Sequence, residues 1–142
     1  MRQKTRRTPQ QARYLLMIIL KVKLNGALIC TAGAEDLSVL NVIVDAIGKL
    51  GKTSKGAKGR EDTYETIVRV GGLTSRPNPK EDEHLRWYNS VLKIGDQIEI
   101  EIGESNEADP PTDRSPAQRD NDQKRYFEWA KRYYLENKDK FE

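Results

Sequence analysis

The chain of 142 residues suits one domain, and with 33% charged against 36% hydrophobic residues it can bury only a small core under a heavily charged surface. Its formal net charge of +3 is unevenly placed: Arg2, Lys4, Arg6, Arg7 and Arg13 stand without an acid in residues 1–16, and the remainder carries 20 Lys and Arg against 22 Asp and Glu. A near-neutral body gives no ground for whole-chain nucleic-acid binding, the single cysteine excludes a disulfide within the chain, and one cysteine with one histidine excludes the usual zinc cages.

Residues 1–16 read as a basic, flexible tail, and Met17 offers a second start position. The stretch Tyr14 to Leu20 follows basic residues as a signal peptide does. It is short, Lys21 and Lys23 come at once, and no small-residue cleavage site follows, so a first strand is the better reading. No run nears the roughly 18 apolar residues of a membrane span, and the expected location is cytoplasmic.

Leu20, Val22 and Leu24 alternate with Lys21 and Lys23, the pattern of a half-buried strand. Asn25-Gly26 then separates this strand from a second over Ala27 to Thr31, as a type I′ hairpin turn requires. Cys30 falls inside the second strand as a small apolar packer. Residues 37–50 admit a helical stripe of Leu37, Leu40, Val44 and Ile47, or a strand. The β-branched Val39, Val42, Ile43, Val44 and Ile47 favour the strand. A Gly-rich basic loop follows over residues 48–60, and Thr63 to Val70 alternates again. Residues 38–70 are therefore expected to form a long hairpin, ended by Gly71-Gly72.

Asn78, Pro79 and Glu81 supply the cap, first-turn proline and capping-box acid of a helix start. Leu85, Tyr88 and Leu92 follow at helical spacing, predicting a helix of about three turns. After a turn at Lys93 to Asp96, Ile98, Ile100 and Ile102 alternate with Gln97, Glu99 and Glu101, a clear strand. Residues 105–119, with Pro110, Pro111 and Pro116, read as an acidic linker. Residues 120–142 read as a C-terminal helix in which Tyr126, Trp129, Ala130 and Tyr133 share a face that Phe127 and Tyr134 widen. The expected fold is α+β: a five-stranded, mainly antiparallel sheet within residues 17–104, curled or half-barrel in form, with one inserted helix and one C-terminal amphipathic helix.

Lys49, Lys52, Lys55, Lys58 and Arg60 in the glycine-rich loop are candidate phosphate contacts, since each neutralised phosphate releases counterions. Gly51-Lys52-Thr53 resembles part of a phosphate-cradling loop, but Ala46 stands where that motif needs glycine. Glu81, Asp82, Glu83 and His84 form an acidic cluster, yet consecutive helical residues do not face one point. Cys30 as a nucleophile would need His84 as its base, and no third orienting group is identifiable. No catalytic residue, metal ligand or cofactor is therefore expected. Glu99, Glu101, Glu104, Glu107 and Asp109 make an acidic face that could attract a basic partner. Tyr126, Trp129, Tyr133 and Tyr134 are candidate partner-binding residues, either docked on the chain's own sheet or laid in a partner's groove.

Several motifs recur together: Leu24-Asn25-Gly26, Cys30-Thr31-Ala32-Gly33, Val70-Gly71-Gly72-Leu73, Leu85-Arg86-Trp87, the run Leu92-Lys93-Ile94-Gly95-Asp96-Gln97-Ile98-Glu99-Ile100, and Asp109-Pro110-Pro111. The set resembles a pattern found in small uncharacterised bacterial proteins: a strand ending in Gly-Gly-Leu, a helix with Trp, a Gly-Asp turn into a last strand, and an acidic-proline tail. The resemblance covers about residues 17–111 and implies a bacterial, intracellular β-domain without implying an activity. The function expected is non-catalytic binding of another protein, of the immunity, antitoxin or adaptor kind. The alternative is nucleic-acid binding through the loop at residues 49–60 and the basic tail. The oligomeric state is left open by the sequence.

Overall fold

The structure, a computed structural model, describes residues 16–117 and the backbone of 120–141, with side chains described for 16–117 and 124–140. The basic tail therefore lies, apart from Leu16, outside the described residues. Strand β1 (Met17–Leu24) turns through Asn25-Gly26 into β2 (Ala27–Ala32). Both turn residues take positive φ, 52° and 83°, as a two-residue hairpin demands. Asn25 is also a bridge: its amide nitrogen donates to Asp96 Oδ1 at 2.9 Å and its amide oxygen accepts from the Gln97 N–H at 2.9 Å. These bonds tie the first hairpin to the turn that precedes β6 (Ile98–Ser105). The Asn25 amide, followed by the Lys93 N–H, holds the Asp96 carboxyl below the usual carboxylate range.

The long hairpin is β3 (Leu37–Gly48) and β4 (Tyr64–Thr74), so the β-branched segment at 37–50 is a strand. Gly71-Gly72 lies inside β4 instead of ending it, because Val39 and Leu37 of β3 press against the chain there. A Cβ on Gly72 would come within 2.6 Å of the Val39 carbonyl oxygen and 3.0 Å of the Leu37 side chain. Glycine is what allows the two strands to continue past that point.

The expected inserted helix is absent, and this corrects the reading of residues 78–92. Asn78 does cap, accepting from the Lys80 N–H, but only one 3-10 turn forms over Pro79–Glu81. Asp82 is extended, and residues Glu83–Leu92 form strand β5 beside β4. The misleading spacing has a geometric cause. The β4–β5 register shifts between Val70, opposite Tyr88, and Gly71, opposite Arg86, so Trp87 is an extra residue in β5. Such a bulge resets the alternation of a strand. Leu85 and Trp87 point inward before it, and Tyr88, Ser90 and Leu92 point inward after it. Leu85, Tyr88 and Leu92 therefore share a side at intervals of three and four, which mimics a helix.

The expected single curled sheet is also corrected. Two uncurled sheets form, of order β2-β1-β6 and β3-β4-β5-β7, with every neighbouring pair antiparallel. The added edge strand β7 (Asp113–Pro116) comes from the proline-rich segment read as a linker. The sheets meet through Val22, Cys30 and Ala32 on one side and Val70, Leu85 and Trp87 on the other. After β7 comes the one α-helix among the described residues, α1 (Asp120–Phe141).

A clasp from the Asp109-Pro110-Pro111 segment joins the sheets. The Asp109 N–H donates to the Thr31 carbonyl at 2.8 Å, and Asp109 Oδ2 accepts from the Thr31 N–H at 2.7 Å, so Asp109 extends the edge of β2. The Asp109 carbonyl in turn accepts from the Trp87 indole N–H at 2.8 Å, reaching β5. The two prolines have no N–H to satisfy as the chain crosses, and the Thr112 N–H then donates to the Arg86 carbonyl at 2.8 Å. A second lock closes the other loops. Arg76 donates to Asp36 at 2.8 Å, Glu83 at 2.8 Å and the Glu81 carbonyl at 2.6 Å, while Asp82 Oδ1 accepts from the Thr74 hydroxyl and the Arg76 N–H.

Trp87→Phe keeps the ring in the core but leaves the Asp109 carbonyl without its indole donor. It should lower unfolding free energy by about 1–3 kcal/mol, read as a reduced urea midpoint with unchanged slope. A variant as stable as the parent would show that the clasp holds without this bond.

Candidate protein-interaction surface

Helix α1 carries Lys138 and Lys140 in its last turn, where cations oppose the helix dipole, and Asn137 donates back to the Tyr133 carbonyl at 2.9 Å. Helical spacing brings Tyr126, Trp129 and Tyr133 into a ladder. The Tyr126 and Trp129 rings lie 6.1 Å apart at 34°, and the Trp129 and Tyr133 rings 5.5 Å apart at 24°. Such contacts hold the side chains as a continuous aromatic strip. Both sheets leave the strip uncovered: Trp129 is 56% exposed, and Tyr126, Phe127, Tyr133, Tyr134 and Leu135 are also exposed. Trp87, the chain's other tryptophan, is 3% exposed. The structure thus brings the four aromatic candidates onto one element and leaves them facing solvent.

The basic loop is folded on itself. The Lys49 N–H donates to the Thr63 carbonyl at 2.8 Å across its base, and a small turn at Lys58-Gly59 is closed by the Arg60 N–H on the Ala57 carbonyl at 2.7 Å. Arg60 is drawn away from the phosphate candidates by an ion pair with Glu65. Lys49, Lys52, Lys55 and Lys58 remain exposed on the loop surface.

The residues weighed for chemistry are kept apart. Cys30 faces the interior from the β2-β1-β6 sheet, beside Val22. His84 precedes inward-facing Leu85 in β5 and so points to the outer side of the other sheet. Burial, with the Asp109 charge adding to it, pushes the Cys30 thiol up to about 11. The acids around His84 serve the Arg76 lock, with Arg114 also 3.5 Å from Glu83. Among the described residues no group of three or more His, Cys, Asp and Glu converges as a metal site, and no helix is long and apolar enough to cross a membrane.

Two further apolar surfaces escaped the sequence reading. Ile98, Ile100 and Ile102 pair with Leu24, Val22 and Leu20, so they share the inward side of their sheet. The second sheet does not reach over them fully, and Ile102 is 75% exposed. The perfect alternation of β6 signalled a buried face without signalling where the cover ends. The other surface is β3, whose Val39, Ile43, Val44 and Ile47 are exposed at the edge of its sheet. A cleft of about 670 Å³ opens where the start of β3 meets the start of β1, lined by Leu16, Ile18, Leu37, Val39 and Leu40 among others.

These features define a two-sheet antiparallel β-protein that carries an exposed aromatic helix. No protein-family model, curated protein or solved structure matches the chain.

Because α1 exposes its aromatic strip, Trp129→Ala should change unfolding free energy by no more than about 0.5 kcal/mol, the range of ordinary surface substitutions. Thermal or urea unfolding checks this, and a loss several times larger would show the strip to be packed in the folded chain. Cys30 should resist alkylation in the native protein at pH 8 and react only as the chain opens. Its raised value means that stability owed to the neutral thiol is intact below the ordinary thiol value of 9.0 and is lost as pH rises toward about 11. Cys30→Ala should remove that part of the alkaline decline in a stability-versus-pH series.

Proposed function

We propose that this chain is a non-catalytic protein-binding module, of the immunity, antitoxin or adaptor kind, that holds another protein through α1. The observation that carries this reading is the stacked and exposed strip of Tyr126, Trp129 and Tyr133, flanked by Tyr134. Burying large aromatic rings contributes more binding free energy per residue than most other contacts, and rings already stacked lose little freedom on docking. An amphipathic helix of 22 residues has the length for several successive anchors in a groove. At helical spacing Arg125 and Arg132 follow one side of the aromatic face and Lys124 and Lys131 the side beyond Phe127 and Tyr134, with Glu136 next to Trp129. The face is thus bordered mainly by cations, which favours a partner whose groove has an acidic rim.

A second reading, nucleic-acid binding, is favoured by one observation. Lys49, Lys52, Lys55 and Lys58 sit together on an ordered loop, and among the described residues none has a carboxylate within ion-pair distance. Such a loop could follow a phosphate backbone.

Affinity capture from the native host, with and without nuclease, separates the two. A discrete protein should be retained after nuclease treatment and lost with Trp129→Ala, while a triple Lys52, Lys55 and Lys58 to Glu variant should still capture it. Partners that vanish on nuclease treatment or with the triple variant, and whose retention falls steeply with salt, would move the function to the loop.

A further inference from the structure

Strand β3 has a composition that contradicts its place. Val39-Leu40-Asn41-Val42-Ile43-Val44 is apolar on both faces, as in strands buried on both sides. Yet β3 pairs with β4 alone and forms the edge of its sheet. Edge strands of soluble proteins are commonly guarded by lysines, prolines, inward charges or short length. Over its 12 residues β3 has no lysine and no proline, and its only charge is Asp45.

The direction of its open hydrogen-bonding groups follows from the ladder. Lys49 donates to Thr63 at the hairpin base, which marks the odd-numbered residues of β3 as bonded to β4. In an antiparallel ladder the alternate residues turn their N–H and C=O the other way. Leu40, Val42, Val44 and Ala46 therefore present unpaired backbone groups at the open edge. On the outer face of the same strand, the side chains of Asn41 and Asp45 have no hydrogen-bond or ion-pair partner among the described residues.

We propose that β3 pairs edge to edge with β3 of a second copy of this chain, antiparallel, about a two-fold axis through Ile43. This register sets Asn41 opposite Asp45 of the second copy, so each unpartnered carboxylate meets an amide. It also sets Val39 opposite Ile47, Val42 opposite Val44, and Ile43 opposite itself. Moving the axis by one residue to Val42 puts Asp45 against Val39, and moving it to Val44 puts Asp45 against Ile43 and Asn41 against Ile47. Only the Ile43 axis matches polar with polar and apolar with apolar. About eight backbone hydrogen bonds would close the edge, and two four-stranded sheets would become one continuous sheet. The contact is isologous and closed, which ends the assembly at two copies. It is independent of α1 and of the function proposed for it.

Sedimentation velocity across micromolar concentrations should show a reversible dimer of the full chain. Ile43→Lys places like charges face to face on the axis and should weaken the dimer by about tenfold or more, with an unchanged circular dichroism spectrum. Under mild oxidation Ile43→Cys should form an intermolecular disulfide, because residues on the axis face each other at Cα separations that a disulfide spans. Val39→Cys should not, since its own counterpart lies roughly eight residues, or about 27 Å, away along the strand. A monomer at all concentrations, a dimer indifferent to Ile43→Lys, a dimer lost with Trp129→Ala instead, or equal cross-linking at positions 39 and 43 would each overturn the proposal.

Discussion

The indole N–H of Trp87 and the backbone of Asp109 hold the two sheets in their relative positions. Few buried side chains are available to do it. The described residues include nine buried hydrophobic side chains, too few for contact area alone to specify how one sheet sits on the other. Directional bonds supply what packing lacks. Asp109 adds itself to the edge of β2 with two bonds to Thr31 and receives the Trp87 donor from β5. The Trp87 end of that bridge is buried, and an indole donor left unpaired there would be costly. The bulge at Trp87 belongs to the same arrangement, because it lets Trp87 and Tyr88 both turn toward the interior.

The remaining constraints lie at the ends of the strands. The Asn25 amide ties the first hairpin to the turn before β6, and Arg76 gathers carboxylates and a carbonyl from three segments. These locks stabilise the loops and leave the broad faces alone. The outcome is a molecule in which, among the described residues, every buried side-chain polar atom is paired while several apolar surfaces are not covered: the aromatic strip of α1, the end of the isoleucine row on β6, and the edge of β3. Surfaces of that kind are most common where another macromolecule completes the fold. The aromatic strip and the β3 edge differ in chemistry. The strip offers large rings bordered mainly by cations, suited to a groove with an acidic rim, while the β3 edge offers backbone groups and one matched polar pair, suited to a strand of the same sequence.

The strands that alternate plainly were legible in the residues. Leu20, Val22 and Leu24, the Asn25-Gly26 turn, the β-branched run of β3 and the isoleucines of β6 each signal strand by a local rule, and each is a strand. β5 was missed because its bulge converts a period of two into intervals of three and four, and because Asn78 and Pro79 do begin a helical turn that then stops. β7 was missed because Asp113-Arg114-Ser115-Pro116 has no strand composition; it is a strand only because β5 offers it an edge. Of the candidate site residues, the aromatic helix was visible by its spacing. Its exposure was not, since periodicity marks an apolar face without naming what covers it.

The sequence by itself determined the hairpin turns, the faces of the alternating strands, the aromatic stripe and the absence of an internal disulfide, because each depends on residues near one another in the chain or on composition alone. Only the tertiary structure decided that there are two sheets and not one, that Asp109 joins them, that Arg60 is taken by Glu65, and that β3 stands at an edge with the isoleucines of β6 half-covered. Those outcomes depend on which strand lies beside which. Pairing partners are chosen by contacts between residues far apart in the chain, where the local pattern of apolar and polar residues carries no address.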